Sequence, residues 1–411
     1  MASTAGFNVA VTATGALSGI VIARVAGPGI SGEYSAVTSW LGIVLMVAGL
    51  GQPLAVCFFV ARDHQHASDY VATSARVMLA TGVAAAVAGM ALAPVLARGH
   101  PGMATAYRLA FVGMIASCVG NTYLFALMGR TLPLWNRARM SQPLVALAGV
   151  LLLWRLRMLT LDATVAVLLA SLLAQLAWTY AGCRQARLAP GRFSPGLVRP
   201  LATYGIGQIA AIAPASVNAY LDQLVLSVAV PPADLGRYSV AVSITLVPAP
   251  LVSAIGYVLM PALAATRAGA TSGTGGTAPL ADAIATRATL TRAVLVSAGL
   301  AAAILVPIAA VAPWLVPTVF GPAYRAAVPL LWILTPGGIF LACGQVVANV
   351  LRGLGRQRVV ARAEGVTVIF TLVLLCSLVP VIGVAGAAIA STIPYGISLA
   401  LMIRGLNKGA P

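Results

Sequence analysis

Apolar residues in this chain come in runs of about twenty or more, divided by short polar stretches, and within the runs apolar and polar positions do not alternate. About twenty apolar residues are what a helix needs to cross the hydrocarbon layer of a bilayer, whereas barrel strands alternate over about ten. Hydrocarbon offers backbone amides no partner, so a crossing segment must close its own hydrogen bonds as a helix. The runs predict twelve spans: about 6–26, 36–60, 72–97, 106–128, 141–158 and 163–183, then 200–230, 236–264, 288–318, 327–351, 359–380 and 384–404. Arg155 and Arg157 shorten the fifth. The first apolar run, Phe7 to Gly27, follows no basic segment and is long enough to stay in the membrane, so no cleaved signal is expected.

Composition agrees with the pattern. Hydrophobic residues make up 60% of the 411 and charged residues 8%, with a mean hydropathy of +0.97. Soluble domains carry about 25% charged residues, so a water-facing surface cannot be built from this chain. A net charge of +17 would suggest nucleic acid in a soluble protein. Here the cations sit in short loops between apolar runs, where orientation and anionic headgroups call for them. With the N-terminus placed inside, 18 of the 25 basic residues fall on inside segments and 7 on outside ones. That asymmetry predicts an even number of spans with both termini cytoplasmic.

Two stretches read as connectors. Residues 184–200 are basic and rich in Pro and Gly and divide the chain near its middle; residues 268–280 are Gly/Thr/Ser-rich and predict a flexible loop. The halves repeat. AGPGISGEYS at 26–35 answers VPPADLGRYS at 230–239 with an offset of 204, and LFALMGR at 124–130 answers VLRGLGR at 350–356 with an offset of 226. The second half thus repeats a six-helix unit in the same order. Six crossings return a chain to its starting side, so an axis along the membrane normal should relate the halves, 1–190 and 191–411.

The same residues carry a family likeness. The stretch IVIARVAGPGISGEYSAVTSWLGIVLMVAGLGQPLAVCFFVAR (20–62) resembles the opening of the bacterial polysaccharide, or oligosaccharide-lipid, flippases. These belong to the MOP superfamily, which also holds the multidrug MATE exporters and the lipid II flippase. YLDQLVLSVAVPPADLGRYSVA (220–241), FGPAYRAAVPLLWIL (320–334) and GLGRQRVVARAEGVTVIF (353–370) continue the likeness. The resemblance implies an all-α integral membrane fold of about twelve transmembrane helices, in two six-helix lobes around a central cavity. It implies an undecaprenyl-diphosphate-linked oligosaccharide as substrate, moved from the inner to the outer leaflet of a bacterial cytoplasmic membrane. Membrane lipids, and glycosyltransferases or a polysaccharide polymerase, are the partners it implies. Exporters of one branch use an acidic residue in the first helix; this chain has none there.

A substrate with a lipid tail can leave the tail in the bilayer, so the protein needs to shelter only the anionic, polar head. Ionisable groups at membrane depth are costly and mark such places. Arg24, near the end of the first span, is a candidate for bidentate hydrogen bonds to diphosphate; the bland alternative is snorkelling to the interface. Tyr204, Gln208, Asn218 and Asp222 share one face of the seventh span, and Asp222, read as the only carboxylate inside a span of the second half, is its titratable member, for cation or proton coupling. The alternative is hydrogen bonding that only holds helices together. Gln345 and Asn349 form a shorter stripe on the tenth span ending at Arg352. Arg352, Arg356, Arg358 and Arg362 either recruit a diphosphate or enforce topology.

Other chemistry is missing from the sequence. It holds no GxxxxGK[ST] loop, nucleophile elbow, paired carboxylates or CxxC, so neither catalysis nor a cofactor is expected. His64-x-His66 has the spacing of a weak metal contact at best, and no metal site is predicted. Beside the flippase, a small-molecule antiporter of the same superfamily and a non-transporting scaffold for polysaccharide assembly stay open. An arginine-lined cavity would favour the first, and an apolar, aromatic and acidic one the antiporter.

Overall fold

The computed structural model describes residues 2–97, 101–249, 251–252 and 278–407. Helices α1 (Ala2–Gly49), α2 (Gln52–Arg62), α3 (Ala67–Leu96), α4 (Pro101–Arg130), α5 (Leu132–Arg155) and α6 (Leu161–Gln185) make up the first part. Then follow α7 (Pro195–Ala229), α8 (Pro232–Thr245), α9 (Ala278–Phe320), α10 (Ala327–Gly353) and α11 (Gln357–Asn407), with one 3₁₀ turn at Pro322–Tyr324. Among the described residues there is no strand.

Among the described residues, seven helices are individually long and apolar enough to cross a membrane. Two of them reach into a second predicted span. Gly27 (φ 78°, ψ 178°), followed by Pro28, breaks α1, and Ile382 with Gly383 (φ 60°) breaks α11. A positive φ is cheap only for glycine, which is why both breaks fall there. The first arm of α1 matches predicted span 1 and the arms of α11 match spans 11 and 12, whereas span 2 (36–60) is divided by a turn at Leu50 and Gly51 between the second arm of α1 and α2. With α5 and α7 added, and α8 as the start of the eighth predicted span, the described helices fit an all-α, multi-pass fold of about twelve spans. Of the eighth predicted span, residues 253–264 lie outside the described residues, as does most of the 268–280 connector.

Several helices run past the apolar segments that announced them. α9 starts at Ala278 rather than near 288, α5 at Leu132 rather than 141, and α7 at Pro195 rather than 200. Hydropathy reports where lipid begins, whereas helix propensity and start signals decide where the helix begins. APLADAIATRATL is too polar for lipid yet rich in good helix formers, and Pro195 stands where a first-turn proline costs no hydrogen bond. α5 begins inside a basic segment, where the Arg139 guanidinium lies 4.2 Å from the centre of the Trp135 ring.

The chain packs as two compact units, residues 1–213 with 231–236, and residues 214–230 with 237–411. In lipid, helices gain little from hiding apolar surface and associate through close packing. The first unit shows this where α3 presents Ala75, Gly82, Ala86, Gly89 and Ala93, all buried, to α4. Cβ atoms added at Gly82 and Gly89 would stand 3.0 Å from Cys118 and 2.4 Å from the Phe111 ring. Its core joins Val56 and Val60 of α2, Val71 of α3, Leu127 of α4, Cys183 of α6 and Leu201 of α7. In the second unit Val347, Leu351, Val360 and Met402 form a core between α10 and both arms of α11. Large apolar side chains such as Val95 and Val381, 71% and 78% exposed, point outward, as lipid-facing residues do.

The repeated segments meet. A Cβ on Gly32 would lie 1.7 Å from the Pro232 carbonyl oxygen, and one on Gly236 would lie 2.1 Å from the Pro28 carbonyl oxygen. Gly32 and Gly236, and likewise Pro28 and Pro232, are each 204 positions apart, so the contact is reciprocal.

Candidate functional site

Asp222 sits on the last third of α7 and is 6% exposed. Tyr238, from the GRYS segment early in α8, is fully buried and donates its phenolic O–H to Asp222 Oδ2 at 2.5 Å. Ser391, on the second arm of α11, lies 3.4 Å from the same oxygen and 3.0 Å from Tyr238 Oη. The other carboxylate oxygen accepts the Gln223 backbone N–H at 2.8 Å. One turn earlier, buried Asn218 accepts from Thr371 Oγ1 at 3.0 Å, on the first arm of α11. This stretch of α7 is thereby bonded to α8 and to both arms of α11.

No basic side chain pairs with Asp222 among the described residues. An isolated carboxylate at this depth is costly. Hydroxyl donors lower that cost without cancelling the charge. The repeat-related positions of the first unit hold no carboxyl. At the 204-residue offset Thr14 and Ser18 stand for Asn218 and Asp222, and their hydroxyls donate to the carbonyls of Ala10 and Thr14 on their own helix.

The sequence singled out Asp222 as the carboxylate of the C-terminal spans. That needs correcting: Glu364 lies inside α11 as well, half-buried and within electrostatic reach of Arg352. Tyr395 is within electrostatic reach of both Asp222 and Glu364. Arg352 itself donates to Asn349 Oδ1 at 3.1 Å, so two members of the α10 stripe are joined, with Gln345 half-buried one turn earlier. Arg356 donates to the carbonyls of Gly405 and Leu406 at 3.4 and 3.2 Å, while Arg358 and Arg362 are exposed.

The four-residue stripe on α7 divides between the units. Asn218 and Asp222 belong to the second. Tyr204 and Gln208 belong to the first, where Tyr204 stacks on Phe58 with ring centres 4.4 Å apart and Gln208 is half-buried. Arg24 is exposed on the first unit, three positions before the Gly27 break. His66 pairs with Asp63 at 3.0 Å rather than with His64. Tyr238, Ser391, Thr371 and Glu364 were not picked out as site residues. Tyr238 was visible only as part of the repeat, and Glu364 as an acid within an apolar run; Ser391 and Thr371 carry no signal until the helices pack.

Together the long apolar helices and their breaks define an all-α, multi-pass membrane protein. Residues 2–267 match the profile of the polysaccharide biosynthesis protein family, and the chain belongs to that family. Among solved structures, it is similar to the lipid II flippase MurJ in an inward closed conformation, at 9% identity over 99% of this chain and 88% of that one, with a TM-score of 0.81. An inward-facing multidrug resistance MATE family transporter of the MOP superfamily matches at 15% identity over 97% and 96%, with a TM-score of 0.77. A MOP superfamily transporter from Pyrococcus furiosus matches at 13% over 98% and 93%, with a TM-score of 0.66. These identities make the likeness one of fold. An uncharacterized membrane protein of Methanocaldococcus jannaschii is 32% identical over 94 residues, a segment covering 23% of this chain and 18% of that protein.

Proposed function

We propose that the protein carries an undecaprenyl-diphosphate-linked oligosaccharide from the inner to the outer leaflet of a bacterial cytoplasmic membrane, for cell-surface polysaccharide synthesis. Family membership over residues 2–267 is the observation that carries this reading. In it the segments 1–190 and 191–411 act as six-helix lobes, and Arg24 and Arg352 are the cations offered to the diphosphate. Asp222 is the coupling group: its carboxyl binds a proton or cation in one conformation and releases it in the other. Charge neutralisation at a buried carboxylate makes one packing of α7 against α8 and α11 cheaper than the other, which is what a coupling ion must do.

The test is reconstitution in proteoliposomes with a fluorescent undecaprenyl-diphosphate oligosaccharide whose outer-leaflet pool is quenched. Wild-type protein is expected to move label between leaflets, faster under an imposed pH or cation gradient. Asp222→Asn, of nearly the same shape, should remove the response to the gradient. Failure of wild type to move the label would sink the reading. A second reading, antiport of a small organic molecule, draws on the acidic and aromatic setting of Asp222, Tyr238 and Tyr395. Ion-driven movement of an organic cation without movement of the lipid-linked sugar would select it.

A further inference from the structure

A groove of about 620 Å³ lies in the first unit between α3 and α6, floored by α4. Its size falls within the usual range of small-molecule sites, roughly 300–1,000 Å³. Its chemistry is graded along its length. Far from the linker the walls are apolar, and Leu79, Val112 and Leu173 stay 46%, 44% and 50% exposed, so the groove is open. At the end where α3 begins and α4 and α6 finish, the lining turns polar, with Arg76, Tyr123 and Tyr180.

The linker between the halves closes that end. Residues 188–191 line it, the Arg192 backbone N–H is accepted by Asp69 Oδ1 at 2.8 Å, and the Ser194 N–H by Thr73 Oγ1 at 3.0 Å. Phe193 is thereby set beside Arg76, whose guanidinium lies 5.2 Å from the ring centre. Arg76 is exposed, and no carboxylate pairs with it among the described residues; the nearby Asp69 is engaged by the linker backbone. A cation held on an aromatic face at the polar end of an open apolar groove complements an amphiphile with one hydrocarbon chain to lay down and one anionic group to present.

We propose that this groove binds one anionic phospholipid, with an acyl chain between α3 and α6 and the headgroup phosphate on Arg76. The site involves neither Asp222 nor the second unit, and the proposal does not depend on which substrate the protein moves. Because the linker forms the end of the groove, a bound lipid would fasten the linker to α3.

The test uses the full-length protein, purified and delipidated in mild detergent, titrated with dioleoyl phosphatidylglycerol or phosphatidylcholine and read by native mass spectrometry. One phosphatidylglycerol should bind roughly fivefold more tightly than phosphatidylcholine, the preference one interfacial cation supplies. Arg76→Gln should bring the two lipids to parity, and Arg76→Lys should keep the preference. Val112→Trp, or Leu173→Trp on the opposite wall if the former does not fold, should abolish the tight one-to-one complex with either headgroup. Parity in the wild type, or a preference that survives Arg76→Gln, overturns the proposal. Displacement of phosphatidylglycerol by an equal amount of undecaprenyl phosphate also overturns it, by making the occupant a polyprenyl carrier.

Discussion

Tyr238 gives Asp222 its shortest hydrogen bond, and the two residues are 16 positions apart on consecutive helices. Tyr238→Phe keeps the ring and removes the donor, leaving a buried acceptor short of one partner. Such a loss costs about 1–3 kcal/mol, so the variant should melt earlier in detergent. Thr371→Val likewise strips the buried Asn218 carbonyl oxygen of its donor; that acceptor is neutral, so the cost should fall at the low end of the same range, about 1 kcal/mol. If Tyr238→Phe proved neutral, the hydroxyl would not be supporting the carboxylate. At this scale the sequence is only partly readable. An acid in an apolar helix stands out from composition alone, which is how Asp222 was found and how Glu364 should have been. The partners are not readable: Ser391 and Thr371 come from 169 and 153 residues further on than the groups they meet. In an apolar helix a serine or threonine can satisfy itself on its own backbone, as Ser297 and Thr367 do, so its presence alone does not announce a site.

Helices are more legible than their contacts. The twelve apolar runs located the spans because membrane thickness fixes a length that hydropathy can measure. Their ends were missed where a helix continues into water on propensity, as in α9, or starts at a proline, as in α7. The repeat located Gly32 and Gly236 as equivalent without showing that they touch. That contact makes a sharp prediction about the N-terminal turns of α8 and the second arm of α1. Gly32→Ala and Gly236→Ala each place a methyl group against a carbonyl of the opposite segment, which cannot rotate away as a side chain can. Overpacking of this kind costs about 1–3 kcal/mol. Gly29→Ala is the control: no other group lies within 4 Å of its added methyl, so it should be neutral or stabilising by about 0.5–1 kcal/mol, the usual gain over glycine in a helix. Thermal unfolding of the three variants in the same detergent decides the matter, and equal midpoints would mean that the two segments can separate without loss.

For the whole chain, the expected orientation follows from charge rather than from packing. Arginines on short loops resist transfer across the membrane, so the face holding most of them stays cytoplasmic. The 18-to-7 division predicts the loops after α2, α4, α6 and α10 inside and the loop between α5 and α6 outside. Arg358 lies just beyond the short loop after α10 and Arg157 within the α5–α6 loop, and both are exposed. They are therefore suitable reporters. In a variant whose five native cysteines are replaced by serine or alanine, Arg157→Cys should react with a membrane-impermeant maleimide in intact cells. Arg358→Cys should react only after the membrane is opened. The test is demanding because the two positions straddle the middle of the chain: one span too many or too few between them would put both on the same side and give matching reactivity. The reverse pattern would mean that the whole molecule is inverted. In that case Arg352 would face the outer leaflet, and its proposed role in receiving a diphosphate from the cytoplasmic side would fail with the topology.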